Sequence, residues 1–192
     1  MPSNKDRLYV ALFARAGKKL KMPGGEDKYH WALILAPKHD PSSSQAGLQI
    51  DVKNTLRLVG QPPLADTSWR LEVVDLAAHP TTRLLARVLF AKVRDRERLL
   101  TLLTGDVPVR AEREGWNCVA WVREAFEVVV GGGGGEDDGG VLGRRFEGGW
   151  EEVREVAMGY VRRKQAEGRF DASFDQVRVP TWDALRGVEL VP

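Results

Sequence analysis

Cysteine is almost absent from this chain: Cys118 is the only one in 192 residues. A single thiol excludes an internal disulfide framework and any zinc site built from several thiolates. Histidine is nearly as scarce, with three copies at His30, His39 and His79. Charge of one sign is missing too, since 29 Lys and Arg face 27 Asp and Glu for a formal net charge of +2. That balance gives no reason to expect a nucleic-acid or anionic-membrane partner, and a polyanion site would need local clustering of basic residues. No run approaches the ~18 consecutive apolar residues of a membrane span, and residues 1–17 hold too short an apolar stretch for a signal-peptide core. A cytoplasmic protein without a membrane span is the expectation.

What is present is an ordinary globular composition, 43% hydrophobic and 29% charged, long enough for one domain over residues 1–192 with a substantial core. Residues 8–16 (LYVALFARA) read as a first strand, followed by a basic loop over 17–27. In that loop Lys18, Lys19 and Lys21 suit solvent or an acidic partner. The aromatic and β-branched run 29–37 (YHWALILAP) reads as a strand buried on both faces and stopped by proline. Residues 39–46 are turn chemistry, 48–59 and 68–76 alternate as strands, and 61–67 make a loop, together a meander. A strand over 87–93, a helix over 95–103 with Asp95 as N-cap and Gly105 at its end, and a helix over 150–165 follow from periodicity and capping. The tail reads as an ordered turn and a short helix capped near Thr181 that packs back on the domain.

Residues 131–140 (GGGGGEDDGG) offer no side chains to pack and read as a flexible surface loop. They are no phosphate loop, because a helix precedes them and acids, not Lys-Ser or Lys-Thr, follow.

The chemistry concentrates at Gly115 to Cys118 (GWNC). The run 117–130 places Cys118, Val122, Ala125, Phe126 and Val129 on one helical face, so Asn117 is the N-cap and Cys118 the first helical residue. Unpaired N–H groups and the positive end of the helix dipole favour a thiolate there, and the same N–H groups can hold an oxyanion. Acyl transfer by a thiolate needs an imidazole base, and only His30 lies in a core strand. Gln49 and Asp51, two apart on the next strand, share a face, and either can orient the imidazole. Asp51 would also favour a thiolate–imidazolium pair. Trp116 is a candidate wall of a substrate groove and Asn117 a candidate for the oxyanion site, while His39 and His79 read as surface turn residues. Neither a metal nor a cofactor is expected.

His30 in Tyr-His-Trp-Ala-Leu-Ile-Leu, followed far downstream by Asn117-Cys118 at a helix start, resembles the circularly permuted papain-like group. Its members include lecithin:retinol acyltransferases, phospholipid acyltransferases and PPPDE-type peptidases. The whole chain, through Asp27–Ala32, Trp116–Val122 and Val179–Asp183, is also similar to small fungal proteins that bring no assigned activity. The first resemblance implies an α+β papain-like (permuted NlpC-type) fold, with an antiparallel sheet packed on the cysteine helix. It also implies Cys118 as nucleophile, His30 as base and Gln49 or Asp51 as the orienting residue. Where the acyltransferases have Asn-Cys-Glu-His-Phe this chain has Asn-Cys-Val-Ala-Trp, and their hydrophobic tail is missing, which favours a soluble substrate. The implied function is hydrolysis of a peptide, isopeptide or other amide or ester bond through an acyl-enzyme. The alternatives are a non-catalytic binding module of the same shape, or a thioester hydrolase or acyltransferase in a fungal biosynthetic pathway.

Overall fold

Two doubly buried strands form the centre of the molecule, as their unbroken apolar runs require. The computed structural model describes residues 5–15, 22–38, 46–79, 83–131, 140–171 and 178–192. In it Arg7–Ala14 (β1) and Tyr29–Ala36 (β2) pair antiparallel over their whole length, from Arg7↔Ala36 to Ala14↔Tyr29. Leu48–Lys53 (β3) adds to β2, but only through Leu33↔Ile50, Ile34↔Gln49 and Leu35↔Leu48.

The alternating run 48–59 does not continue as one strand. After Lys53 the chain turns away, and the Arg70 guanidinium holds that turn by donating to the Thr55 carbonyl and hydroxyl, each at 3.0 Å. Arg57–Val59 (β4) and Leu64–Asp66 (β5) then form a separate hairpin, so the expected loop over 61–67 contains a strand, tied by Arg57 to Asp66 at 2.7 Å. Arg70–Asp75 (β6) returns to pair with β3 and completes the expected meander.

Leu84–Val93 (β7) flanks β1 on its other side, antiparallel. Asp95 caps Arg96–Thr101 (α1) as expected, its carboxylate accepting from the Arg98 N–H at 2.9 Å. The helix ends at Thr101 rather than at Gly105, which lies in a wider π-type turn over Leu102–Asp106. Cys118–Gly131 (α2) and Trp150–Ala166 (α3) are the two long helices, and residues 132–139 of the glycine tract, with Lys18, Lys19, Lys21 and His39, lie outside the described residues.

Leu142–Arg145 (β8) and Thr181–Asp183 (β9) share the outer edge of β7, β8 at Ala91 and Val93, β9 at Arg87 to Leu89. Val188–Val191 (β10) forms a hairpin with β9. The tail therefore packs back as strands, not as a helix capped at Thr181. That threonine is buried, accepts from Arg87 Nε at 3.0 Å and donates to the Val179 carbonyl, so it cannot cap a helix. Because β9 runs parallel to β7, the sheet is mixed rather than purely antiparallel, in the order β10-β9-β7-β1-β2-β3-β6.

The helices cover one face of this α+β structure. Leu8, Val10, Leu12, Trp31, Leu33, Leu35, Val88 and Phe90 pack there against Trp121, Val122, Phe126 and Val161. Phe90, Phe126, Trp150 and Trp31 stack in a row at 5.2, 6.0 and 5.8 Å between successive centroids. The alternate residues Tyr9, Phe13, Ala32, Ile34 and Leu84 form a second apolar cluster on the opposite face. Lys164 on α3, itself buried, contacts Glu167 and Glu189 at 2.7 Å each and so ties that helix to β10. Phe90→Ala should lower the unfolding free energy by about 3–5 kcal/mol in a urea titration, through lost burial and the cavity left beside Phe126.

Candidate functional site

Helix α2 begins where the sequence places its cap. The Asn117 side-chain oxygen accepts from the N–H groups of Val119 at 2.9 Å and Ala120 at 3.2 Å, which makes Cys118 the first helical residue. The thiol reaches the sheet where the β2–β3 ladder stops. Beyond Leu33↔Ile50 no β3 residue pairs with β2, and the Trp31 backbone N–H donates to the Cys118 sulfur.

His30 approaches the same gap from the other side. It alternates with Trp31 and Leu33, so its ring lies on the face away from the helices, beside Phe13 at 6.1 Å between centroids. Nε2 stands 2.6 Å from Asp51 Oδ2, and the imidazole also hydrogen-bonds Cys118. With Nε2 on the carboxylate, Nδ1 is the nitrogen left for the thiol. Gln49 donates its amide to the same Asp51 oxygen at 2.6 Å, and Lys53 Nζ lies 3.6 Å from the other. Of the two candidates on β3, Asp51 touches His30, and Gln49 acts on it through Asp51.

The electrostatics follow from this contact order. Burial opposes an imidazolium at His30, but the hydrogen bonds to Asp51 and Cys118 and their negative charges outweigh it and lift its pKa to about 9. Burial likewise opposes a thiolate at Cys118. The His30 hydrogen bond and charge, the Trp31 N–H and the Arg15 guanidinium outweigh it and hold the thiol below its ordinary value. The arrangement favours a thiolate–imidazolium pair backed by a buried carboxylate, the combination that suits attack on a carbonyl and return of a proton to a leaving group.

A cavity of about 500 Å³ opens beside His30. Phe13, Val52 and Trp69 give it an apolar wall, and Arg15, Lys53 and Arg83 a cationic one. Cys118 does not line it and is 1% exposed, recessed behind the imidazole. Trp116 is buried and reaches this cavity only through Trp69, which it meets edge-on at 5.5 Å. The Asn117 amide donates to Gly115 O at 3.4 Å and approaches Met22 Sδ at 3.7 Å, so its side chain serves the helix start, leaving the backbone as the donor available to an oxyanion. His79, read as a surface turn residue, is exposed on the cavity rim. Arg15, Trp69 and Arg83 were not legible as site residues. Only the pairing of β1 with β2 and β7 brings Arg15 and Arg83 to His30, and no local motif marks it.

Residues 5–191 match the family of unknown function DUF6914, and the chain belongs to it. No curated protein and no solved structure matches the chain.

In an NMR titration the His30 imidazole should change protonation near pH 9, and Asp51→Asn should bring that transition down by more than one pH unit, about 1.4 kcal/mol or more. The sign for stability follows. A base whose folded pKa is raised contributes fully below its unfolded value of about 6.5, and that contribution is lost as pH rises through the folded value.

Proposed function

We propose that this member of DUF6914 is a cysteine-dependent hydrolase with a circularly permuted papain-like fold, acting on a peptide, isopeptide or other amide or ester bond. The observation that carries the reading is the relay from Asp51 through His30 to the Cys118 thiol at the start of α2. The chain order, strand histidine before helix cysteine, and the α+β layering with α2 on the sheet support it.

In this reading the Cys118 sulfur attacks the carbonyl carbon, and the carbonyl π electrons move onto oxygen. Backbone N–H groups at the start of α2 stabilise that oxyanion. Collapse of the intermediate breaks the bond to the leaving group, which takes the proton from His30 and departs, leaving a thioester on Cys118. Water then gives its proton back to His30 as its oxygen attacks the thioester, and the thiolate leaves as the carboxylic acid forms. Asp51 keeps the imidazole oriented and stabilises its charged form throughout. The cationic and apolar walls beside His30 suit an acyl group that joins an apolar body to an anionic end.

The 1% exposure of Cys118 favours a second reading, a non-catalytic binding module that uses the same cavity. The two part on covalent chemistry. With p-nitrophenyl acetate as acyl donor, the hydrolase gives an acetyl adduct on Cys118 in the intact mass and steady release of nitrophenolate. Both should vanish in Cys118→Ala, and His30→Ala should slow release by about a hundredfold or more. Absence of the adduct in wild type, with iodoacetamide labelling no faster than in denatured protein, selects the binding module.

A further inference from the structure

A net charge of +2 conceals a second place, away from the cavity beside His30, where basic residues converge. At the end of the sheet away from His30, where β1 begins and β2 and β7 end, lies a cavity of about 300 Å³. Its walls are Lys5, Arg7, Lys38, Lys92, Arg94 and Arg144, with Gly143 between them. Among the described residues no Asp or Glu lines it.

The sheet itself forces these charges together. Arg7 and Lys92 are direct cross-strand partners in the β1–β7 ladder, a like-charge pair that destabilises a sheet when nothing neutralises it. On the other edge of β7, β8 places Gly143 and Arg144 beside Lys92 on the wall of the same cavity. Two acids at this end of the sheet are already paired. Asp6 pairs with Arg96 at 2.5 Å, and Asp183 pairs with Arg186 at 2.8 Å while accepting from the Leu185 N–H. Burial and the charges of Arg7, Arg144 and Lys38 hold the Lys92 ammonium below its ordinary pKa against the opposing charge of Asp183.

We propose that this cleft binds a small multivalent anion carrying phosphate groups. Several guanidinium and ammonium groups around one cavity match clustered phosphate oxygens better than a lone carboxylate, which two cations suffice to hold. A nucleic-acid strand fits less well, because a single cavity of about 300 Å³ is the size of a small ion, whereas a strand needs basic residues continued along its backbone. The site is separate from the thiol: β2 alone, at ~3.3 Å per residue, sets its two ends about 20 Å apart. It does not rest on the hydrolase reading.

The test is calorimetric titration of the full chain with sodium tripolyphosphate at about 50 mM salt, where screening is moderate. One saturable site is expected. Lys92→Gln with Arg144→Gln should weaken it about tenfold or more, whereas Arg113→Gln with Arg123→Gln, removing equal charge near the start of α2, should change it less than about twofold. If the first pair fails to fold in a thermal melt, Lys5→Gln with Lys38→Gln on the rim replaces it, with the same expected direction. Cys118→Ala should bind tripolyphosphate as wild type does. No saturable binding, equal weakening by the test and control pairs, or binding of duplex DNA without binding of tripolyphosphate overturns the proposal.

Discussion

The buried carboxylate of Asp51 sets the terms for everything around it. At 0% exposure an ionised carboxylate costs several kcal/mol unless opposite charge and hydrogen bonds compensate. His30 and Gln49 meet one oxygen at 2.6 Å, and Lys53 stands near the other. The compensation runs in one direction along the chain of contacts. Asp51 stabilises charge on His30, charge on His30 stabilises a thiolate on Cys118, and the Trp31 N–H and Arg15 add to the last step. Remove the carboxylate and only the contact with Cys118 is left to oppose burial at the imidazole, which moves the balance toward the neutral ring. The register of a single strand, β3, thus controls a thiol carried on a helix.

The path of that control crosses the sheet. Helix α2 lies on one face with Cys118 in its core, while His30 projects from the other. They meet because β3 pairs with β2 through three residues only and then gives way to the hairpin of β4 and β5. A fully zipped β2–β3 ladder would occupy the Trp31 N–H and wall the thiol off from the imidazole. The separation of β3 from β2 after Ile50, while Asp51 to Lys53 stay paired with β6, is therefore part of the site.

Much of the frame was legible in the sequence because it depends on short-range rules. The periodicity of 117–130 and 150–165 marks α2 and α3, Asn117 and Asp95 act as the caps they resemble, and the apolar run at 29–37 makes the doubly buried strand it suggests. His30 and Asp51 could be nominated from strand alternation, yet the choice between Asp51 and Gln49 waited on the register that sets one against the imidazole. The errors share a cause. Val179-Pro-Thr181 looks like a helix cap locally, but the sheet offers Thr181 a buried guanidinium and an open edge on β7. Residues 57–66 look like strand and loop, but their pairing is with each other. Arg15 and Arg83 have no local signature, since the strands carry them to His30 from opposite ends of the meander.

The parallel contact of β9 with β7 bears on how the chain reaches its fold. Tyr9 must find Leu89, and Arg87 must then find Thr181, so the sheet closes through partners far apart along the polypeptide. Such high contact order makes the search slow compared with a hairpin-by-hairpin meander. During synthesis β1, β2, β3 and β6 can assemble early and β8 can cover the outer edge of β7 at Ala91 and Val93, but the stretch Arg87 to Leu89 stays open to other strands until residues 181–183 have left the ribosome. The buried Arg87 has its Thr181 partner only at that moment, which makes the joining of the last strands the step that commits the nascent chain to its native sheet.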